Sequence, residues 1–315
     1  MKPKLKRILN ILGNIITLIA IYFVFKKLFS SPLDYNVLLE KQNIMIILVI
    51  TVVLSIIIIT NCFPWKLLVE IFSTKKIPWR DSIQVYTKSN LLKYLPGNVF
   101  QYVGRNELAS RQNISHLQVA SATVFDIIIN VMAAVLLSSI YFFQNKEAIL
   151  SANKQNISFI LISGVALALG LTIIVFIFKS KITPIFAKIK SLLTRKTLKG
   201  VVISLIYYMF TMMIQSLLFI LLLIFVLNIE LNFDLFLKLF SAYTFSWLVG
   251  FITPGAPAGI GIREAVMAGA TGGLVNQGTI TFAMVIFRVL TTFADIIAFS
   301  VVSFYNYLTN KYQRK

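Results

Sequence analysis

The sequence predicts an all-α polytopic membrane protein with about six full transmembrane spans and two re-entrant helical hairpins arranged as an inverted repeat. Three observations lead to this fold class. Hydrophobic residues make up 58% of the 315 residues and charged residues only 13%. Apolar stretches of about 18 residues or more recur along the chain, and a motif built around Pro-Gly occurs twice. We expect residues 1–315 to form a single transmembrane domain.

Six apolar stretches are long enough to cross a bilayer as helices. The first follows a basic N-terminus but is not closed by a small-x-small cleavage site, so we interpret it as a retained helix rather than a secretory signal. The predicted spans are 8–25, 44–63, 117–143, 157–178, 201–227 and 280–308.

The basic residues that give the chain its net charge of +19 are unevenly placed. Seven of them and no acidic residue lie between Lys179 and Lys199, whereas the connection 228–234 contains Glu230 and Asp234 and no basic residue. By the positive-inside rule, the first loop is cytoplasmic and the second is external. We therefore expect a multi-pass protein of the cytoplasmic membrane with both termini in the cytoplasm, and no nucleic-acid partner.

The cytoplasmic linker 179–199 has apolar residues at helical spacing, among them Ile182, Ile185 and Ile189, with lysines between them. This pattern predicts an amphipathic helix on the inner leaflet, with its lysines near anionic headgroups. A solvated linker helix fits the same pattern, and the two interpretations stay open.

An internal repeat carries the functional argument. The pattern YTxSxL begins at Tyr86 and again at Tyr243, a spacing of 157 residues. A Pro-Gly pair follows each copy, and an arginine stands nine positions past each proline. Three predicted spans separate the copies, so the copies enter the membrane from opposite faces. The corresponding residues are Pro96 with Pro254, Gly97 with Gly255, Gly104 with Gly261, Arg105 with Arg263, and Glu107 with Glu264.

Each copy is predicted to form a re-entrant hairpin, near 82–107 and near 236–265. Proline removes a backbone donor and glycine weakens a helix interior, so neither segment continues as one regular helix. Broken backbone at membrane depth is tolerated only where protein or water surrounds it. Asn98 is expected at the tip of the first hairpin.

The charged residues of these hairpins and Asn98 are the candidate substrate-binding residues. Each would cost about 2.5–3.5 kcal/mol if it faced lipid at mid-depth, so they must face one another or a wet cavity. The arginine fork suits a phosphate, whereas an Arg-Glu pair that only locks each hairpin is the structural alternative. Asp126, Arg288 and Asp295 lie within spans and are expected to pair with other charges. The substrate-binding candidates are Lys93, Asn98, Arg105, Glu107, Arg263 and Glu264.

The stretch KYLPGNVFQYVGR, followed about 150 residues later by PAGIGIREAVM, resembles the flippase-like transmembrane family named after lysylphosphatidylglycerol synthase. The similarity is to its stand-alone members, because we expect no soluble aminoacyl-transfer domain in a chain that ends just after its last span. The resemblance implies inverted halves and a role in moving a lipid headgroup across the bilayer. Ala258 departs from the family pattern, which usually has glycine there. Matching motif positions are Pro96, Gly97, Gly104 and Arg105, then Pro257, Gly259, Gly261, Arg263 and Glu264.

The leading hypothesis is therefore translocation of a phospholipid or a polyprenyl-linked or glycolipid headgroup, in cell-envelope or polysaccharide biosynthesis. A non-transporting partner of a glycan-assembly or lipid-export complex is the alternative, and a small-anion secondary transporter is the second. We expect no enzyme, because HExxH, GxSxG and Walker patterns do not occur. One cysteine, Cys62, and one histidine, His116, predict no metal site, and no cofactor is expected. Membrane lipids are the expected partners, and a homo-oligomer or an envelope-biosynthesis partner stays open.

Overall fold

The structure, a computed structural model, describes residues 35–73, 75–94, 99–144, 194–253, 257–272 and 274–313. Within these ranges every regular element is helical, which confirms the all-α prediction. Short 3-10 turns occupy Tyr35–Leu39, Leu91–Tyr94 and Pro257–Gly259. The α-helices are α1 (Lys41–Thr60), α2 (Cys62–Ser73), α3 (Trp79–Asn90), α4 (Phe100–Ser110), α5 (His116–Gln144), α6 (Arg195–Phe225), α7 (Phe233–Ile252), α8 (Ile262–Ala270) and α9 (Gln277–Gln313).

Five helical segments of the described chain are long and apolar enough to cross a membrane, which supports a multi-pass protein. Four of them match predicted spans to within two residues at the C-terminal end: Lys41–Ser73, His116–Phe143, Arg195–Phe225 and Gln277–Thr309 cover 44–63, 117–143, 201–225 of 201–227, and 280–308. The fifth, Phe233–Ile252, was assigned to the second hairpin. The predicted spans 8–25 and 157–178 lie outside the described residues.

The first long segment is broken into α1 and α2 at Asn61. Pro64 has no N–H to donate to the carbonyl of Thr60 four residues earlier, so the regular helix cannot pass through this point.

The linker prediction needs one correction, because α6 already begins at Arg195. Thr194 caps this helix by accepting from the backbone N–H of Thr197, so residues 195–199 belong to α6 rather than to a surface helix. Residues 179–193 lie outside the described residues.

Contacts between loops and between helix ends define the two ends of the bundle. At one end, the Lys75 ammonium donates to the carbonyl of Asn113 at 2.6 Å, and Arg80 at the start of α3 donates to Asn306 near the end of α9. At the other end, the hydroxyl of Tyr141 in the last turn of α5 donates to the carbonyl of Ala270, the last residue of α8. We call these the basic end and the opposite end.

Two helix pairs extend from these two ends toward the middle. In the first pair, α3 packs against α4, and the segment that joins them contains the Leu91–Tyr94 turn. In the second pair, α7 packs against α8, and the joining segment contains the Pro257–Gly259 turn. The first pair begins and ends at the basic end, whereas α8 ends at the opposite end. The turns of the two pairs contact each other, and insertion of the pairs as re-entrant hairpins stays a prediction.

Each helix pair is embedded in its own hydrophobic core. Trp65, Leu68, Val119 and Ala122 pack in the core around α3 and α4. Phe219, Leu223, Met267 and Phe287 belong to the core around α7 and α8. Helix α6 contributes to both cores, with Tyr208 and Met212 in the first and its C-terminal half in the second. It therefore connects the two halves of the molecule.

The outer surfaces of the long helices are apolar rather than charged. Large side chains such as Val52 on α1, Met132 on α5, Phe210 on α6 and Phe293 on α9 are about half exposed or more. A water-soluble helix would place polar residues on this side. Lipid contact accounts for these exposed faces, in keeping with a membrane-embedded bundle.

Candidate functional site

A polar cavity lies where the two helix pairs meet α1, α5, α6 and α9. Its volume is about 200 Å³, room for several waters or for a compact headgroup but not for acyl chains. We call it the shared cavity, because both helix pairs contribute to its wall. Its charged lining residues are Lys93, Arg105, Asp126, Arg263 and Arg288.

Arg105 is held by protein groups on every side. Its side chain on α4 is only 2% exposed, and its Nη1 lies 3.2 Å from Oδ2 of Asp126 on α5. Its Nε donates to the hydroxyl of Ser89 at 3.5 Å, and its guanidinium carbon lies 4.0 Å from the centre of the Tyr86 ring. The other oxygen of Asp126 accepts from the hydroxyl of Tyr208 at 2.5 Å. This first cluster is compensated in charge and rich in hydrogen bonds.

The second cluster contains two arginines and one carboxylate. Arg288 on α9 donates to Oε1 of Glu264 at 2.9 Å and to the carbonyl of Ala258 at 2.7 Å. Arg263 has no ion pair within the described part of the chain, and its buried Nε lacks a hydrogen-bond partner there. Its guanidinium carbon lies 5.5 Å from the centre of the Trp247 ring. The second arginine of the repeat is therefore placed differently from the first.

Glycines create the space through which Arg263 enters the cavity. A Cβ atom at Gly250 would lie 2.4 Å from Cγ of Arg263, and a Cβ at Gly259 would lie 2.9 Å from the carbonyl oxygen of Gly250. Gly259 and Gly261 also have positive φ angles, +77° and +82°. Ala258 has φ +49°, a left-handed conformation that costs an alanine about 1–2 kcal/mol and that glycine adopts readily. A glycine at position 258 would adopt this conformation without that cost.

A third cluster joins the two halves. The Lys93 ammonium, next to the first turn, lies 2.6 Å from Oδ2 of Asp295 on α9. Tyr94 donates to the same oxygen at 2.5 Å, and Asn90 donates to Oδ1 at 2.6 Å. Asp295 is thus fully engaged by the first helix pair. This cluster holds the tip of that pair against the last helix.

The structure brings some predicted residues together and not others. Asp126, Arg288 and Asp295 all lie in ion pairs, with Arg105, Glu264 and Lys93 rather than with one another. Glu107 does not reach the shared cavity: its side chain is 60% exposed, and its carboxylate lies 3.9 Å from Arg111. At 100° per residue, a position two residues past Arg105 lies on the opposite face of α4.

The predicted turn residues are covered only in part. Pro96, Gly97, Asn98, Pro254 and Gly255 lie outside the described residues. Gly104 lies within α4, where an added Cβ would meet the Leu92 side chain, whereas Gly261 precedes α8 with nothing within 4 Å of such a Cβ. The two glycines occupy corresponding sequence positions but have different structural roles.

Sequence reasoning did not single out several tyrosines of the cavity. Tyr86 and Tyr243 both line it, and both begin the repeated YTxSxL pattern, which was a usable signal. In the same pattern, the Ser89 and Ser246 hydroxyls donate to the carbonyls of Tyr86 and Tyr243, so the local geometry is also repeated. Tyr208 lies in a mainly apolar helix and is not part of the repeated pattern, so the sequence contained no signal that pointed to it.

Metal-binding side chains do not gather in the described ranges, where no three His, Cys, Asp or Glu residues form a group.

Comparison with known proteins gives one match. The family described as the lysylphosphatidylglycerol synthase TM region matches the chain over residues 10–298. Neither the comparison with curated proteins nor that with solved structures gave a match.

Proposed function

The chain belongs to the lysylphosphatidylglycerol synthase transmembrane family, and from this premise we propose that it translocates a lipid headgroup across the cytoplasmic membrane through the shared cavity. The family assignment confirms the resemblance noted in the sequence and links the chain to lipid handling in membranes. The observation that carries the proposal is the shared cavity itself, a charged chamber formed by two helix pairs that extend from opposite ends of an apolar bundle.

Stability alone does not explain this concentration of buried charge. Replacing a buried ion pair by apolar residues of similar volume is often neutral or stabilising, by about 1–4 kcal/mol. Arg105, Asp126, Glu264 and Asp295 are each no more than 4% exposed, so their desolvation is nearly complete. Intramembrane ionisable residues of this kind typically mark a substrate path. The charges therefore support a polar route for a headgroup rather than a purely structural role.

The dimensions fit a headgroup whose acyl chains stay in the bilayer. A cavity of about 200 Å³ accepts a phosphate with a small substituent. The acyl chains would lie along the apolar outer faces of the bundle, where Val52 and Phe293 are about half exposed. A saccharide attached to a polyprenyl carrier would place its phosphate in the same chamber. The proposed setting is cell-envelope or polysaccharide assembly.

The orientation follows from charge. Lys75, Arg80 and Arg111 lie at the basic end. The first turns of α6, which contain Arg195 and Lys196, pack beside Ile71 near the end of α2 and so lie at the same end. The positive-inside rule places this end in the cytoplasm. The first helix pair then opens toward the cytoplasm and the second toward the outside. Relative movement of the two pairs, with the Lys93–Asp295 contact made and broken, would give each side access to the cavity in turn.

The test is lipid translocation by the purified protein in proteoliposomes. Acyl-labelled fluorescent phospholipids are quenched by dithionite in the outer leaflet only, so protein-dependent loss of the protected signal measures flipping. Thr291→Trp fills the cavity from α9, and Thr309→Trp on the same helix, outside the cavity lining, is the matched control. We expect the first variant to abolish translocation and the second to retain it.

Two outcomes would contradict the proposal. Equal rates for both tryptophan variants would place the route elsewhere. Absence of translocation with every phospholipid and with a polyprenyl-linked saccharide would favour a non-transporting partner of a glycan-assembly complex. Uptake of a small anion without lipid movement would favour the secondary-transporter alternative.

A further inference from the structure

The cations of the shared cavity are not all balanced. Three cation–carboxylate pairs surround it, whereas Arg263 has no carboxylate partner in the described ranges. The Trp247 ring lies 5.5 Å from its guanidinium carbon. The three pairs are Lys93 with Asp295, Arg105 with Asp126, and Arg288 with Glu264.

The two connecting segments 95–98 and 254–256 contain no Asp, Glu, Lys, Arg or His, and the predicted spans 8–25 and 157–178 contain none either. The charge of the shared cavity can be summed over the described residues that line it and their ion-pair partners. It is one net positive charge, and that charge lies on Arg263.

The free donors of Arg263 are suitably placed for a bidentate ligand. Trp247 lies over the guanidinium group at 5.5 Å, and a ring contact of this kind uses the flat face and leaves the N–H groups in the plane available. A guanidinium edge matches two oxygens of a phosphate through parallel hydrogen bonds. A carboxylate or a phosphodiester has one negative charge at neutral pH, but only the phosphodiester is common to lipid headgroups.

We propose that the cargo headgroup carries a single net negative charge on a phosphodiester, and that Arg263 is the residue that binds this phosphate. The inference rests on the translocation proposed above and narrows its substrate. A headgroup with one net positive charge would add to the charge of Arg263 in a poorly hydrated chamber, which is unfavourable. A pyrophosphate would leave negative charge without a partner. The charge of Arg105 is already compensated by Asp126. Arg105 therefore forms part of the cavity wall and does not bind the cargo.

The experiment compares three acyl-labelled lipids in proteoliposomes. They are phosphatidylglycerol with one negative charge, phosphatidylcholine with none, and lysyl-phosphatidylglycerol with one net positive charge. All three lipids contain the phosphodiester and differ only in the cationic part of the headgroup, which repels the unpaired guanidinium of Arg263. We therefore expect the wild type to flip phosphatidylglycerol roughly 10- to 100-fold faster than phosphatidylcholine. The cationic lipid should be the slowest.

Variants of Arg263 make the net charge of the cavity zero, make it negative or leave it unchanged. Arg263→Gln should abolish the preference for the anionic lipid, and Arg263→Glu should reverse it in favour of the cationic lipid. Arg263→Lys keeps the charge and should keep the order of the three rates, which guards against variants that fail to fold. Arg111→Gln is the matched control, because Arg111 is 69% exposed in its side chain and lies outside the cavity.

A binding measurement separates failure of this inference from failure of the proposed function. Trp247 fluorescence of the detergent-purified protein is titrated with short-chain phosphatidylglycerol and short-chain phosphatidylcholine, and Trp247→Phe identifies the signal. Charge-selective binding without translocation would overturn the proposed function and support the headgroup class. Translocation at equal rates for all three lipids would overturn the headgroup class and leave the function standing. Neither binding nor translocation would overturn both.

Discussion

Removal of the Asp126 carboxylate should destabilise the fold strongly, and removal of its partner as well should restore it. Asp126→Leu leaves the guanidinium of Arg105, 2% exposed, without its ion pair. It also removes the acceptor for the Tyr208 hydroxyl. A buried charge that loses its partner costs about 3–5 kcal/mol.

The double variant Arg105→Met with Asp126→Leu has a different expectation. Replacing both members of a buried pair by apolar groups of similar size is neutral or stabilising by about 1–4 kcal/mol. A change of 1 kcal/mol shifts the melting temperature of a large domain by roughly 2–4 °C. The single variant should therefore melt about 6–20 °C below the wild type, and the double variant at or above it.

Cys62 provides the assay. It is the only cysteine of the chain, and its side chain is 1% exposed within the first core. Thiol labelling by a fluorogenic maleimide during a temperature ramp therefore reports unfolding of that core. Glu107→Gln, at an exposed carboxylate on the same helix as Arg105, should change stability by less than about 0.5 kcal/mol. A double variant as unstable as the single one would refute the view that Asp126 mainly compensates Arg105.

Three further expectations concern the second helix pair and the contact between the halves. Gly259→Ala should lower the melting temperature by roughly 4–10 °C, because φ is positive at Gly259 and the added Cβ would lie 2.9 Å from the carbonyl oxygen of Gly250. Gly269→Ala is the control: Gly269 is helical and nothing lies within 4 Å of an added Cβ, so this change should be neutral or stabilising. Ala258→Gly should stabilise the protein by up to about 1 kcal/mol in the same thiol-labelling assay, and no gain would argue against strain at that position. Lys93→Asp and Asp295→Lys should each slow translocation, because each breaks the ion pair between these residues. The two changes combined should recover part of the rate. A double variant no faster than either single variant would exclude a role for this ion pair.

Hydropathy was sufficient to locate four of the six predicted spans, because an uncharged apolar stretch as long as 44–63 is typical of a transmembrane helix. It did not distinguish α7 as a full-length helix, since 20 residues are both long enough to cross the bilayer and short enough for one arm of a hairpin. The repeat predicted where the two helix pairs lie because its Pro-Gly breaks are visible in the sequence. The sequence drew attention to Arg263 but could not show that this residue has no carboxylate partner among the described residues.

The ion pairs were the least predictable part of the site. The partner of Arg105 is not the nearby Glu107 but Asp126, 21 residues away on another helix. Which helix face meets which neighbour depends on the packing of whole helices, and spacing within one helix does not contain that information. The same reason hid Tyr208, whose contact with Asp126 spans 82 residues.

The sequence distances of these ion pairs also bear on how the protein is made. A ribosome that adds about 5–20 residues per second delivers Asp126 about 1–4 s after Arg105, so the first buried arginine meets its counter-charge almost as soon as it enters the translocon. Asp295 is synthesised 201 residues after Tyr94, and its contact with the first helix pair must wait for the final helix. The Arg105–Asp126 pair of the first half can thus form early in biogenesis, whereas the Lys93–Asp295 contact that joins the halves waits for the last helix.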